Sequence, residues 1–226
     1  MINSLISFLF PCYCLHCSDR LPASRKFICE ECFELLPKYV GQELYYHPED
    51  RLEGLVPFTE YQSDLIFSRT NAVRKIIHQI KYHGFPKLGY QLAYYFAEEH
   101  QRLGHFADIS AVVPIPLTPE RMKKRGYNQS TFIANGLANK YELPVEKSFL
   151  MRVGGKGTQT RRGKEERWGK VRGAFNVPNH QDVAGRRVLI VDDVMTSGAT
   201  LVNAGRAMLD AGAESVSFYT LALDVL

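Results

Sequence analysis

The stretch RRVLIVDDVMTSGATLVNAG, residues 186–205, decides the fold of this chain. Four apolar residues, Val188 to Val191, run straight into two adjacent carboxylates, Asp192 and Asp193. A short tract rich in hydroxyls and small residues follows, and then an amphipathic segment that continues to about Ala211. This order predicts a buried strand, a tight loop and a helix.

The loop between this strand and this helix has the composition of a phosphate site. The hydroxyls of Thr196, Ser197 and Thr200 would join the free backbone N–H groups of the helix N-terminus, where the helix dipole favours an anion. Gly198 would let the backbone approach the ligand closely. The alternative is a capped turn without a ligand, but two carboxylates side by side repel each other. The pattern therefore favours a sugar phosphate, whose diol the acids hold directly or through a cation.

Composition is that of an ordinary globular protein, but charge is unevenly distributed. The 226 residues are 45% apolar and 23% charged, enough for one core domain and a small module. A net charge of +4 does not by itself indicate nucleic-acid binding. Residues 1–60 carry five Lys or Arg against nine Asp or Glu, whereas residues 151–173 carry eight against two. An acidic N-terminal module and a strongly cationic segment follow from these counts.

No targeting or membrane segment is predicted at the N-terminus. The stretch MINSLISFLF is apolar, but it has no cationic start and is far shorter than the ~20 residues that a membrane span needs. We therefore expect a cytoplasmic protein without a membrane span, in which thiols stay reduced.

All five cysteines fall close together near the start of the chain. Two Cys-x2-Cys pairs, Cys14 with Cys17 and Cys29 with Cys32, are separated by 11 residues. That spacing is typical of a tetrahedral, structural zinc site with four cysteine ligands. Buried or disulfide-bonded cysteines are the alternative, which the lack of a secretory signal disfavours. Cys12 is the surplus thiol and an alternative to Cys14 as a ligand.

Strands and helices are predicted to alternate after the cysteine module. Alternation implies a parallel sheet whose ligands bind outside the carboxyl ends of the strands, so we expect the acids and the turn at 114–128 at one edge. We predict an α/β domain over 51–226 and a zinc module over 1–50. The predicted strands cover 54–61, 109–115 and 146–152, and the predicted helices cover 70–84, 88–103 and 129–140.

Two basic segments are candidates for binding an anion. The run ERMKKRGYNQS, residues 120–130, is interpreted as a cationic turn of the site, with a solvated basic turn as the alternative. Residues 153–172 contain five glycines and little apolar content, which predicts a mobile loop. The alternatives are a disordered basic loop and a surface for single-stranded nucleic acid, with Trp168 and Phe175 as stacking rings. No acceptor pocket is recognisable in the sequence, and Lys81 is the exposed candidate to test for one, with an ordinary surface lysine as the alternative.

These motifs resemble a known family. VLIVDDVMTSGAT resembles the 5-phosphoribosyl-1-diphosphate (PRPP) motif of type I phosphoribosyltransferases. More narrowly, the chain is similar to ComF/GntX-type proteins of natural competence, which join a four-cysteine module to such a domain. The similarity continues through IKYHG (80–84), RMKKRGYNQS (121–130) and GAF (173–175). It implies a parallel sheet flanked by helices, with a flexible hood at about 153–172.

The resemblance also implies roles for individual residues. Asp192 and Asp193 would meet the ribose diol, and Arg125 would act with them at the reacting centre. A nitrogen nucleophile displaces diphosphate from C1 of PRPP in such a reaction, so Mg2+, cations near the diphosphate and a lid against water are implied. The other implied PRPP contacts are Val194, Met195, Thr196, Ser197, Gly198, Ala199 and Thr200 at the 5-phosphate, Pro114, Ile115, Arg121 and Asn128 at the diphosphate, and Gln159 and Arg167 in the hood.

Two functions are consistent with this resemblance. The first is a Mg2+-dependent phosphoribosyltransferase, a glycosyltransferase with PRPP as donor, that takes part in DNA uptake during natural transformation. The second is a non-catalytic competence factor that binds single-stranded DNA beside a helicase and uses PRPP or a nucleotide as a regulatory ligand. An enzyme would consume PRPP when given its acceptor, whereas a binding protein would hold PRPP and bind DNA with strong salt dependence.

Overall fold

The computed structural model describes residues 12–22, 27–39, 47–153 and 173–225. No helix in these ranges is both long enough and apolar enough to cross a membrane. The helices are α1 (Glu30–Glu34), α2 (Ala72–Tyr82), α3 (Pro86–Arg102), α4 (Pro119–Arg125), α5 (Gln129–Tyr141), α6 (His180–Val183) and α7 (Ala199–Asp210), with a 3₁₀ turn at Pro48–Arg51. The strands are β1 (Tyr61–Phe67), β2 (Ala111–Pro114), β3 (Met151–Arg152), β4 (Phe175–Asn176), β5 (Arg187–Met195) and β6 (Ser215–Asp224).

The main sheet has four parallel strands in the order β1-β6-β5-β2. The apolar run of β5, Val188 to Val191, is buried because this strand lies between β6 and β2 and helices cover both faces of the sheet. The predicted α/β fold with a parallel sheet flanked by helices is therefore confirmed. The predicted helices at 70–84, 88–103 and 129–140 agree with α2, α3 and α5 to within two residues at each end.

Helices on the two faces of the sheet enclose two separate cores. On one face, α2, α3 and α5 pack on the sheet, with Leu92 and Ile133 in one cluster with Leu189. On the other face, α6 and α7 pack on the sheet, with Met208 in one cluster with Ile190. The arrangement is a three-layer α/β/α sandwich, and it leaves the ends of the strands open for a site.

Residues 12–22 and 27–39, here called the cysteine segment, share a core with the sheet domain. Ile28 and Leu36 belong to the same buried cluster as Ile76 of α2. The ring of Phe33 lies 5.2 Å, centroid to centroid, from the ring of Phe96 on α3. Phe33 is partly buried, and aromatic pairs contribute roughly 0.5–1.5 kcal/mol beyond the area that they bury. The stability of the cysteine segment is therefore coupled to that of α2 and α3.

The predicted strand at 54–61 is wrong, because strand β1 begins only at its last residue. Pro57 has no N–H to give to a ladder, which disfavours a strand there. The true strand has a buried aspartate, Asp64, in its interior, and aspartate is a residue type that is uncommon in strands. His100 compensates for this burial, since its Nε2 lies 2.7 Å from the Asp64 Oδ1.

Two further segments differ from their predictions. The cationic turn contains a helix, α4, which begins at the Thr118 cap and ends at Gly126 with φ of 79°. Hydrophobic periodicity does not reveal this helix because none of its residues is buried. The predicted strand at 146–152 is reduced to β3, which pairs antiparallel with β4. Most of the predicted hood, residues 154–172, lies outside the described residues.

Helices α3 and α5 cross so closely at Gly136 that a Cβ atom there would lie 2.3 Å from the Tyr90 carbonyl oxygen. We expect Gly136→Ala to lower the free energy of unfolding by about 1–3 kcal/mol, because the backbone of α3 must move away. Urea unfolding of the purified protein measures the change. Asn139→Ala, at an exposed position on the same helix, should stay within about 0.5 kcal/mol of wild type. A Gly136→Ala protein as stable as wild type would contradict this account of the crossing.

Candidate functional site

A cleft of about 830 Å³ lies at the carboxyl ends of β2 and β5. The two strands are neighbours, and beyond β2 the Ile115 N–H donates to the Val191 carbonyl over 2.8 Å. This contact brings the loop after β2 beside the two acids, as predicted for a parallel sheet. The charged side chains that line the cleft are Lys81, Arg121, Lys124, Arg125, Arg152, Asp192 and Asp193.

The two acids have different partners. The Ser130 hydroxyl, in the first turn of α5, donates to Asp192 Oδ1 over 2.9 Å, and the Asp193 N–H donates to the same oxygen over 2.9 Å. The side chain of Asp193 is held by Lys81, whose Nζ lies 2.9 Å from Oδ1. The other carboxylate oxygen of Asp193 is buried without a hydrogen-bond partner. The pair is therefore fixed in place but retains an acceptor that a ligand or cation can use.

Burial and repulsion by the neighbouring charge of Asp193 change the acidity of Asp192. Burial of Asp192, together with the nearby charge of Asp193, raises the pKa of Asp192 from 3.8 to about 7. The hydrogen bond from Ser130 and the charge of Lys81 act in the opposite direction. A cation or a hydrogen-bonding diol would favour the ionised form, which is what a functional carboxylate requires.

The cationic side of the cleft is partly ordered by packing. The Arg125 guanidinium lies 5.1 Å from the centroid of the Tyr82 ring and donates to the Gln129 side-chain oxygen. The face of an aromatic ring attracts a cation electrostatically, so Tyr82 helps to hold this guanidinium beside the cleft. With five cations and two acids, the cleft is suited to a ligand with several negative charges.

The loop at 196–200 is here called the phosphate loop, after the sequence-based prediction that it binds a phosphate, and it is shaped by the 3₁₀ turn before β1. Gly198 has φ of 76°, and a Cβ atom there would lie 3.1 Å from the Arg51 carbonyl oxygen. The Arg51 guanidinium donates in turn to the Thr196 carbonyl. Gly198 is also the N-cap of α7 and has no side chain to cap it, so N–H groups of the first turn are available to an anion.

The structure brings some of the predicted site residues together and leaves others apart. Asn128 does not line the cleft, because its amide caps α5 and donates to the Ile115 carbonyl over 2.9 Å. Gln159 and Arg167 lie outside the described residues. The predicted residues that line the cleft are Ile115, Arg121, Arg125, Asp192, Asp193 and Thr200. The described ones that do not line it are Pro114, Asn128, Val194, Met195, Thr196, Ser197, Gly198 and Ala199.

Sequence reasoning missed three contributors to the site. A single serine such as Ser130 belongs to no recognisable motif. Its position at the start of the predicted helix at 129–140, next to the basic run, was the only signal that could have indicated a role in the site. Arg152 reaches the cleft from β3, a strand too short to be recognised. Arg51 contacts the phosphate loop from 145 residues away in sequence, a distance at which local patterns carry no information.

Four of the cysteine sulfurs form a compact cluster. The Sγ atoms of Cys14, Cys17, Cys29 and Cys32 all lie within 4.8 Å of one another. Those of Cys17 and Cys29 are 3.8 Å apart, and a tetrahedron with ~2.3 Å zinc–sulfur bonds has edges of about 3.8 Å. Cys12 is exposed and does not belong to this cluster. The arrangement therefore fits a tetrahedral metal ion, with Cys14 rather than Cys12 in the group.

The electrostatics of these thiols also suit a cation. Burial raises the pKa of Cys14, but backbone N–H groups of Cys17, Cys29 and His16 outweigh it and lower the pKa to about 6. Burial and the neighbouring sulfurs raise the pKa of Cys32. The ring Nδ1 of His16 lies 3.4 Å from the Cys32 sulfur, so this histidine contacts the cluster from outside. A bound cation would offset the repulsion between neighbouring thiolates, which is one of the causes that raise the pKa of Cys32.

A second and larger cleft, of about 1240 Å³, lies between α3 and α5. The stacked rings of Tyr90 and Tyr94, 6.3 Å between centroids, line part of it. Neither acid of β5 and no residue of the phosphate loop lines this cleft. Size alone would select it, but the clustered charges select the smaller cleft as the chemical site.

Comparisons with known proteins find matches along most of this chain. Residues 106–224 match the family model described as Phosphoribosyl transferase domain. Competence protein F of Haemophilus influenzae is 26% identical over 94% of this chain and 85% of that protein. Competence protein ComFC of Bacillus subtilis is 36% identical over 49% of this chain and 43% of that protein. The resemblance to ComF-type proteins is therefore confirmed.

Among solved structures, glutamine phosphoribosylpyrophosphate (PRPP) amidotransferase from B. subtilis is similar to part of the chain. The match is 20% identical, covers 63% of this chain and 30% of that chain, and has a TM-score of 0.46.

The raised pKa of Asp192 predicts a stability cost that Asp192→Asn removes. The folded state binds this proton more tightly than the unfolded chain, so the stability that it contributes is present near pH 4 and is lost as pH rises towards 7. Asparagine keeps an acceptor oxygen for Ser130 and cannot ionise. We expect the variant to be more stable than wild type at pH 8 by roughly 1–3 kcal/mol, with a smaller difference at pH 4–5.

Thermal unfolding of both proteins between pH 4 and pH 8 measures this difference. Asp108→Asn, at an exposed loop position, is the matched control and should follow wild type at every pH. A variant at Asp192 that is less stable than wild type at pH 8 would contradict the assigned environment.

Proposed function

Because this chain belongs to the phosphoribosyl transferase domain family, we propose that its smaller cleft binds PRPP together with Mg2+. Asp192 and Asp193 would hold the ribose diol, the phosphate loop at 196–200 the 5-phosphate, and Arg121 and Arg125 the diphosphate. The observation that carries this proposal is the acid pair itself, which lies in a cationic cleft and has one buried oxygen without a partner. A ligand with both a diol and several phosphates satisfies both kinds of group.

The residues of the cleft suit transfer of the phosphoribosyl group to a nucleophile. As diphosphate leaves C1, the sugar becomes cation-like, and the carboxylates of Asp192 and Asp193 stabilise the positive charge. Arg121, Lys124 and Arg125 stabilise the negative charge on the leaving group. Mg2+ bound with PRPP would add charge neutralisation at the diphosphate, and the unpartnered oxygen of Asp193 fits a cation of this kind.

The proposed biological role is DNA uptake during natural transformation, on the cytoplasmic side. Support for it comes from the names of the relatives, which are competence proteins and DNA utilization proteins. The proposed partners are PRPP, single-stranded DNA and a competence helicase. For the activity of the site, our first proposal is catalysis, in which the phosphoribosyl group of PRPP is transferred to an acceptor.

A non-catalytic role is the second proposal. Tyr82 is 58% exposed at the cleft, and Arg125 lies over its ring, so the pair offers a surface on which a nucleobase can stack. In this case PRPP or a nucleotide would regulate DNA binding and would not be consumed.

We further propose that Cys14, Cys17, Cys29 and Cys32 bind a structural Zn2+ ion. Four thiolates complete a tetrahedral site and leave no position for a substrate, so the ion would stabilise the fold only. In this organisation, residues 1–50 form the zinc module and residues 51–226 the phosphoribosyltransferase-like domain. The hood at about 153–172 would close over PRPP, with Gln159 and Arg167 in contact with it.

Calorimetric titration with PRPP and Mg2+ tests the ligand directly. We expect micromolar binding by wild type and a loss of about 10–100-fold or more in the Asp192→Asn/Asp193→Asn variant, because charged hydrogen-bond partners of the diol and cation are removed. Asp108→Asn should bind like wild type. A folded, zinc-loaded wild type that does not bind PRPP would overturn the proposal.

Diphosphate release separates the two activities. With PRPP, Mg2+ and the correct acceptor, an enzyme releases diphosphate continuously, whereas a regulatory site binds PRPP without release. Fluorescence anisotropy with a labelled DNA single strand supplies the second readout, since affinity that falls steeply with salt indicates phosphate contacts.

Zinc removal should destabilise α2 and α3 as well as the cysteine segment, because these elements share a buried core. We expect one zinc per chain by mass spectrometry of the metal, and a melting temperature lowered by several degrees or more after chelation. Cys32→Ser should lose the metal and Cys12→Ser should keep it. Loss of zinc in Cys12→Ser would contradict the ligand set.

A further inference from the structure

Lys81, near the end of α2, is directly engaged with the acid pair. Its Nζ lies 2.9 Å from Asp193 Oδ1, and its side chain is 22% exposed against 6% for that of Asp193. The backbone next to Lys81 is anchored, because the Tyr127 hydroxyl donates to the Ile80 carbonyl over 2.7 Å. Gly84, with φ of 77°, follows the helix. The backbone is therefore held beside the cleft, and only the lysine side chain needs to move for the contact to change.

The ion pair occupies one of the two carboxylate oxygens of Asp193, Oδ1, and leaves Oδ2 without a partner. A ribose diol has two hydroxyl groups, and a diol that donates to both oxygens of Asp193 competes with the ammonium for Oδ1. An ammonium that loses its partner in a half-buried position is strongly unfavourable. A second anion within reach compensates for this loss. The diphosphate of the ligand can be this second anion, because Arg121, Lys124 and Arg152 also line the cleft and attract negative charge.

We propose that Lys81 is a displaceable counterion that makes the cleft selective for sugar phosphates with an anionic group on C1. A ligand that offers both a diol and a diphosphate exchanges the Lys81–Asp193 contact for two new ones. A ligand with the diol and the 5-phosphate alone, such as ribose 5-phosphate, separates the ion pair and leaves the ammonium without an anion. This inference rests on the proposed function and deepens it, because it assigns the discrimination between substrate and product-like sugar phosphates to one residue.

The test compares two ligands in wild type and in Lys81→Met, a variant of similar length without the charge. Calorimetry with PRPP and Mg2+ should give a loss of affinity of about tenfold in the variant, because one contact to the diphosphate is missing. Affinity for ribose 5-phosphate should rise by about three- to tenfold, because Asp193 is then free to bind the diol. The preference for PRPP over ribose 5-phosphate should therefore fall by about 30-fold or more.

Two further variants keep the test decisive. Lys81→Gln is a second neutral variant, for use if Lys81→Met does not fold. Its preference for PRPP should also fall, but its affinity for ribose 5-phosphate should rise less, because its amide can still donate to Asp193. Lys75→Met, at an exposed position on the same helix, should leave both affinities unchanged.

The outcomes separate this inference from the proposed function. Wild type that binds PRPP, with an unchanged preference in folded Lys81→Met and Lys81→Gln, would overturn the inference alone. An equal loss of affinity for both ligands would also overturn it, since a general loss of positive charge explains that result. Wild type that binds neither ligand would overturn the proposed function and the inference with it.

Discussion

The constraint on which the site depends is the presence of two carboxylates next to each other at the end of a buried strand. Like charges in a medium of low dielectric constant repel strongly, and burial alone already disfavours their ionised forms. The elements around β5 compensate for this cost. The first turn of α5 supplies the Ser130 hydroxyl, the end of α2 supplies Lys81, and α4 supplies further positive charge. The cleft is consequently lined by many charged groups, and their interactions with one another would change when a charged ligand binds.

Parts of the chain before the matched domain complete this arrangement. The family model begins at residue 106, yet Lys81 reaches an acid of the cleft and Arg51 reaches the phosphate loop. The cysteine segment packs in turn on α2, the helix that carries Lys81. A metal bound by the cysteines would therefore act on the site indirectly, through the packing of α2. This connection gives a physical reason for joining a four-cysteine module to this domain.

The parts of the fold that were predicted from the sequence are those with strong local patterns. The run before Asp192 and the helical spacing in α2 identify buried elements without any knowledge of their neighbours. Strand β1 was misplaced because its interior residue Asp64 is paired with His100, which is 36 positions away in sequence. For the same reason Lys81 could be named as a candidate, but its contact with Asp193 could not, since that contact exists only after the helix packs against the sheet. The function of the hood remains a prediction.

Hydrogen–deuterium exchange with and without PRPP and Mg2+ tests the central claim, that the acid pair and the phosphate loop form one ligand site. Backbone N–H groups at the start of α7 lack intrahelical acceptors, so exchange there reports directly on a bound phosphate. We expect the ligand to slow exchange at 196–201 and to leave exchange in the larger cleft, at 87–95, unchanged. Slower exchange confined to 87–95, with none at 196–201, would contradict a single site formed by the acids and this loop.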